Sequence, residues 1–374
     1  MASDTATMRD RRKDFYYVDD LGEGAHGRAV LALHKRTNEL YVFKSSIVSN
    51  EADFDSCHPP LEAQIAQRLT DIPGVARLVG WCRYQAEEDK DIQFALTCWT
   101  YSNAGSLQSL VLRAQSPFAG FTLPGSWALR WLAQAIRTIH DLHARGVSHN
   151  DVKEDNIVLH QTARNADPDA VLIDFGLSKL RGTYPTQSSE PDPRTVLRAA
   201  RADNSWIIDC IGDYQNLLRY WQYHLTGSIK EEEEQALDAI ITTGLEQLED
   251  FERTLDDLEA MCDALDEAED PSQVDIWAQQ FQSDMDEVLL NTSTGMLALA
   301  ADADSLKITM PAATREQLEK IQARAPGDDE MTRIVAFSGS YRDLDKYIPS
   351  MPKDKENKPK SKIIVDCEWT EALR

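Results

Sequence analysis

The stretch HNDVKEDN (149–156) constrains this chain more than any other feature. Asp151 and Asn156 lie close together with Lys153 between them, just after a long amphipathic segment and just before the apolar run NIVL. A second carboxylate, Asp174, ends the apolar run AVLID and is followed by Phe175 and Gly176. Phosphoryl transfer from a nucleotide needs this inventory. It requires a carboxylate to orient the attacking hydroxyl, oxygen ligands for magnesium, and cations on the phosphates.

Two upstream segments add to it. LGEGAHGRAV places Gly22, Gly24 and Gly27 in a G-x-G-x-x-G pattern between strand-like segments. Glycine lets backbone approach phosphates and turn N–H groups toward them. The same glycines fit a tight hairpin turn equally well. A dinucleotide-binding fold would want a helix next, whereas the strand pattern VLALH follows. Lys44 then sits inside the apolar strand YVFK. A lysine there is costly unless its ammonium finds a partner. Glu62, on the helical segment PPLEAQIAQRL (59–69), is the candidate. The plain alternative is an edge-strand lysine reaching out to water.

The order GEGAHG, VFK, HNDVKEDN, DFG resembles the eukaryotic-type protein kinase superfamily, and Lys153 makes it similar to the Ser/Thr branch. The resemblance covers about residues 16–227. It implies an α+β, bilobal protein-kinase-like fold with a small β-rich N-lobe and a helical C-lobe. It further implies ATP and magnesium as cofactors and a protein hydroxyl as acceptor. In that reading the loop Gly22, Glu23, Gly24, Ala25, His26, Gly27 covers the ATP phosphates, and Ala29 and Val42 line the adenine roof. Thr97, Cys98, Trp99 and Thr100 form the hinge that reads adenine through backbone groups, with Thr97 as gatekeeper. Lys44, paired to Glu62, grips the α/β-phosphates. Asp151 is the catalytic base, Lys153 neutralises the transferred phosphoryl, and Asn156 and Asp174 hold magnesium. Asp213, in DYQNLLRYWQYHLTG (213–227), braces the catalytic loop. An ordinary buried amphipathic helix is the alternative for that last segment.

Four departures qualify the resemblance. Ala29 and Val42 exchange the family's Val and Ala, which roughly conserves volume. Asn150 stands where an Arg usually answers an activation-loop phosphate, so activity independent of loop phosphorylation is expected. No A-P-E motif occurs between Gly176 and Asp213. Nothing after Gly227 resembles the remaining C-lobe helices. A Ser/Thr protein kinase is the leading expectation. A small-molecule kinase of the same fold and a silent scaffold acting through acidic helices are the alternatives.

The remaining organisation follows from composition. Of 374 residues, 42% are hydrophobic, enough for a sizeable core. Residues 1–14 read as a polar tail, 15–227 as the kinase-like domain (N-lobe about 15–100, C-lobe about 101–227), 228–325 as an acidic helical hairpin or bundle, and 326–374 as a C-terminal segment. A Pro-, Ser- and Thr-rich loop is expected at 181–196 and a helix at roughly 207–225. The net charge is -24, with 39 Lys+Arg against 63 Asp+Glu, which disfavours nucleic acid and anionic membranes as partners. Most of it lies in 230–287, with 21 acidic side chains against two basic ones. There Ile241, Leu248, Leu255 and Cys262 recur at heptad spacing, followed by Phe251, Leu258 and Leu265, with Gly244 as a weak point. A solvated bundle is the bland reading. A docking surface for a basic protein, or a seam for a second copy, is the sharper one. The cysteines (Cys57, Cys82, Cys98, Cys210, Cys262, Cys367) form no C-x-x-C pair, which points to a reducing, cytoplasmic setting. The Lys-rich KDKENKPKSK (353–362) reads as a plain tail more simply than as a nuclear address. No run of about 18 apolar residues occurs to span a membrane, and the N-terminus lacks the apolar core of a secretory signal.

Overall fold

A computed structural model describes residues 14–24, 27–48, 59–86, 93–116, 122–163, 166–182, 193–225, 227–266, 271–322 and 362–369. The chain divides into two units, one rich in strands and one rich in helices.

The strand-rich unit holds β1 (Phe15–Gly24), β2 (Gly27–His34), β3 (Leu40–Val48), the helix α1 (Leu61–Arg68), β4 (Leu78–Ala86), β5 (Gln93–Thr100) and the C-terminal strand β10 (Lys362–Trp369). They form one antiparallel sheet in the order β1-β2-β3-β5-β4-β10. Alternation with a period of two sorts the side chains. Val30, Ala32, Tyr41, Phe43, Leu96 and Cys98 go to one face and, with Phe15, Val79, Cys82 and Phe94, build its core. Phe15 meets Phe43 edge-on at 4.8 Å between ring centres, a favoured arrangement for buried rings. The register Ala29–Lys44–Thr97 lies on the opposite face.

The helix-rich unit begins with α2 (Leu107–Gln115), whose first turn is capped by Ser106 Oγ accepting from Ser109 N at 3.2 Å. Helix α3 (Gly125–Ala144) is the core element. Its positions Trp127, Trp131, Leu132, Ile136, Ile139 and Leu142 are buried at helical spacing. The Trp131 indole donates to Pro168 O at 2.8 Å, so the ring is buried without an orphaned N–H. Short strands follow: β6 (Val147–Ser148) pairs with β9 (Lys179–Leu180), and β7 (Ile157–His160) with β8 (Asp169–Leu172). Then come α4 (Pro193–Tyr220), a π-helical turn at Trp221–Leu225, α5 (Glu231–Asp266), α6 (Pro271–Thr309) and α7 (Arg315–Gln322).

Helix α4 starts well before the expected position near 207, and Pro193 opens it, where a missing N–H costs nothing. Part of the expected 181–196 loop is therefore helix, and residues 183–192 lie outside the described residues. The sequence RTVLRAARAD shows no broad apolar stripe, so periodicity does not reveal its helical state.

The acidic segment packs back on its own unit. Helices α5 and α6 lie against each other and against α4 and α3. Ile241 and Leu248 of the heptad series are buried there, so this half of the seam is spent within the chain. Side chains of Leu255, Leu258, Cys262 and Leu265 lie outside the described residues. Gly244 is a point of close approach rather than a weak spot. A Cβ there would stand 2.8 Å from side-chain carbons of both Leu218 and Leu299. Part of the acidic run has a capping role as well. Glu233 Oε2 accepts from Gly125 N at 2.9 Å, at the start of α3, where Pro124 supplies no side-chain cap.

Candidate active site

In the strand-rich unit, β1 and β2 form a hairpin with Gly24 opposite Gly27. Ala25 and His26 at its tip lie outside the described residues. Gly22 and Glu23 are exposed on β1. Gly27 is required to be glycine. Its φ is +140°, and a Cβ would fall 1.8 Å from the Ser45 carbonyl oxygen. Next to this hairpin, Lys44 Nζ meets Glu62 Oε1 at 3.0 Å, with side-chain exposures of 14% and 11%. The expected lysine–glutamate pair is therefore made. The sheet fixes the lysine and α1 fixes the glutamate. Ala29 stands opposite Lys44, and Val42 opposite Leu31, on the same face.

The expected hinge needs correction. Thr97, Cys98 and Trp99 lie within β5 and pair on both sides, with β3 and with β4, while Thr100 N donates to Arg77 O at 2.9 Å. Backbone groups spent in a ladder do not read a base. Cys98 also turns into the core of the opposite face, where burial pushes its thiol pKa well up. Thr97 does stand directly opposite Lys44, and its hydroxyl accepts from the Trp99 indole at 2.8 Å.

In the helix-rich unit the HNDVKEDN segment forms a braced loop. Asp213, buried on α4, accepts from His149 N and Asn150 N, each at 2.7 Å, and lies 3.0 Å from His143 Nε2. The bracing role expected of Asp213 is thus visible in its hydrogen bonds. The sequence reading missed His143, a lone histidine near the end of an apolar helix face. His149 is buried, and burial holds its imidazole below the ordinary value. Its Nε2 lies 3.0 Å from Ile173 O, which can only accept, so the proton sits on Nε2. Nδ1 is then the acceptor for Asp151 N at 3.2 Å. Phe175 packs edge-on against the same ring at 5.1 Å.

The reactive groups follow from that frame. Lys153 Nζ lies 2.9 and 2.7 Å from the two Asp151 oxygens. Asn156 Nδ2 donates to Asp151 O and to Asp151 Oδ2, both at 2.8 Å. Asn156 immediately precedes β7 and Asp174 follows β8, with Ile157 paired to Leu172, so the ladder carries both side chains at one end. Asp174 holds φ at 65°, a left-handed conformation rare outside glycine, and its Oδ1 accepts from Gly176 N at 3.1 Å. Asn150 is likewise left-handed at 62°, which asparagine tolerates. Its Nδ2 donates to Ser148 Oγ at 3.2 Å and to Leu177 O at 3.3 Å. Past Phe175, strand β9 is tied down by Lys179–Asp209 at 2.8 Å to α4. Next to it, Arg181–Asp286 at 2.9 Å makes the link to α6.

Residues 15–191 match the protein kinase domain family. Among curated relatives, the chain is 27% identical over 172 residues to the serine/threonine-protein kinase RIM15 of Saccharomyces cerevisiae, covering 45% of this chain and 8% of that protein. It is 27% identical over 168 residues to serine/threonine-protein kinase Nek6 of Oryza sativa, covering 45% and 28%. It is 28% identical over 183 residues to serine/threonine-protein kinase PKH2 of Saccharomyces cerevisiae, covering 48% and 15%. The chain thus spans less than a third of the length of these relatives. Residues 15–191 are a protein kinase domain, and its named relatives are serine/threonine kinases. The match ends just before α4, so α4 to α7 lie beyond it.

Replacing Asp213 by Ala would orphan the N–H groups of His149 and Asn150 in a buried setting. A loss of about 3 kcal/mol or more is expected in urea unfolding, with Asp213→Asn intermediate. Wild-type stability in Asp213→Ala would contradict the bracing role.

Proposed function

We propose that this chain is an ATP- and magnesium-dependent protein kinase that transfers the γ-phosphate to a serine or threonine hydroxyl of a protein. The observation that carries the reading is the Asp151 carboxylate, held by Lys153 and Asn156 in a loop whose backbone is fastened by a buried carboxylate. A carboxylate so fixed can accept the proton of an incoming hydroxyl. Lys153, 45% exposed, adds little stability through its ion pair and is better understood as a cation for the transferred group. Lys44, oriented by Glu62, presents an ammonium suited to a phosphate.

The donor set suits magnesium. Asn156 spends its amide N–H groups on Asp151, which leaves Oδ1 as its ligand atom, and Asp174 adds a carboxylate; both are hard oxygen donors. Magnesium, when bound there, would offset phosphate charge in the transition state. The nucleotide base would meet backbone groups of Tyr101 and Ser102 under Ala29 and Val42.

Asn150 bears on regulation. A neutral amide hydrogen-bonded to Leu177 O makes the link to the segment after Asp174 that a charged residue would otherwise make through a phosphate. Activity independent of loop phosphorylation follows. Pro193, in EPDPRT, opens a helix, and the sequence between Gly176 and Asp213 holds no A-P-E motif.

A radiolabel assay should offer a generic basic protein, a Ser/Thr peptide library and small hydroxylated metabolites. Phosphorylation of protein or peptide is expected. Asp151→Asn should keep nucleotide binding while turnover falls by about 10²–10⁴-fold, and Lys44→Met and Asp174→Asn should abolish turnover. Wild-type rates in any of the three, or label on metabolites alone, would contradict the reading.

Phosphatase treatment of the purified chain should leave its turnover unchanged. A large loss after dephosphorylation would show that loop phosphate is needed after all.

A further inference from the structure

Strand β10 closes the sheet order beside β4. In their antiparallel register Cys367 stands directly opposite Cys82, flanked by the pairs Asp366–Arg83 and Glu368–Trp81. Cys82 is fully buried in the core of the sheet. Directly opposed positions of an antiparallel ladder hold their Cα atoms about 4.5–5.5 Å apart, inside the roughly 4.4–6.8 Å that a disulfide spans. Neither cysteine belongs to the phosphotransfer machinery. We propose that Cys82 and Cys367 form a reversible disulfide that locks the C-terminal strand onto the sheet.

The register itself argues for the pair. A shift occurs between Ile364, opposite Tyr84, and Asp366, opposite Arg83. Continued without it, the ladder would set Asp366 against Cys82 and Cys367 against Trp81. The irregularity is what brings the two cysteines into opposition, and it also sets an acid against an arginine. Bulges of this kind re-aim residues at sheet edges.

The chemistry balances with one hydroperoxide. A buried thiol is inert, whereas a terminal strand, paired on one side only among the described residues, is released more cheaply than a central one. On release, the Cys367 thiolate attacks hydrogen peroxide. The O–O bond breaks, one oxygen stays on sulfur as a sulfenic acid, and the other leaves as water. As the strand pairs again, the Cys82 sulfur displaces the sulfenic oxygen, which leaves as a second water while the S–S bond forms. Two thiols are oxidised and one peroxide is reduced, and a dithiol reverses the step. The bond closes a loop of most of the chain, the case in which a cross-link restricts the unfolded state most.

The test uses the full chain, oxidised with hydrogen peroxide, alkylated, digested and mapped by mass spectrometry without reduction. A Cys82–Cys367 linked peptide is expected as the dominant cross-link and should vanish with dithiothreitol. Trypsin cleavage within 353–361 should leave the C-terminal fragment attached on a non-reducing gel and free on a reducing one. Oxidised wild type should melt several degrees above the reduced protein. Cys367→Ser should lose the cross-link and that shift while melting like the reduced wild type. Because Cys82→Ser alters the core and can fail to fold, the Cys367 variant decides. A dominant Cys82–Cys98 link, a link between two copies, or no Cys82–Cys367 link would overturn the proposal.

Discussion

One carboxylate, shut inside the helix-rich unit, holds the reactive loop in shape. Asp213 takes two backbone N–H groups from the loop and the imidazole of His143. Left without partners at that depth, each of these groups would cost roughly 1–3 kcal/mol, so the loop has one favoured path. That path puts Asp151 N on His149 and turns the Asp151 side chain to Lys153 and Asn156. The left-handed Asp174 is a strained position in the same frame. Strain persists only where surrounding bonds over-determine it, and here they do.

The acidic helices contribute to that frame. Glu233 caps the helix that leads into the loop, and Asp286 of α6 takes Arg181 just after β9. Arg181 also lies over the Trp206 ring at 5.1 Å, a cation–π geometry that adds to an otherwise exposed ion pair. Glu233 and Asp286 are thus structural, while the segment packs through its buried Leu237, Ile241, Leu248, Phe281 and Met285. Among the described residues no helix is long and apolar enough to cross a membrane.

The contacts among the motif residues were legible in the sequence because chemistry fixes residue type and spacing together. Lys44 with Glu62, and Asp151 with Lys153 and Asn156, come together as the motifs implied. Strands were legible where alternation was clean, as in β2 and β3. What escaped were facts of register. The expected hinge residues fall inside β5 because the end of that strand depends on how far β3 and β4 extend beside it, which no local pattern records. The opposition of Cys82 and Cys367 is a pairing between distant parts of the chain, and six scattered cysteines give no sign of it. The first turns of α4 lack an apolar stripe, and so periodicity passed over them.

The proposed function stands on nucleotide binding that needs Lys44 and on metal binding that needs Asn156 and Asp174. Thermal unfolding with ATP, with and without magnesium, tests it most directly. A ligand at 100 times its Kd stabilises by about 2.7 kcal/mol. The account predicts a rise in melting temperature with ATP and a further rise with magnesium. Lys44→Met should blunt the first and Asp174→Asn the second. A melting temperature indifferent to ATP at millimolar concentration, with magnesium or without it, would contradict the account.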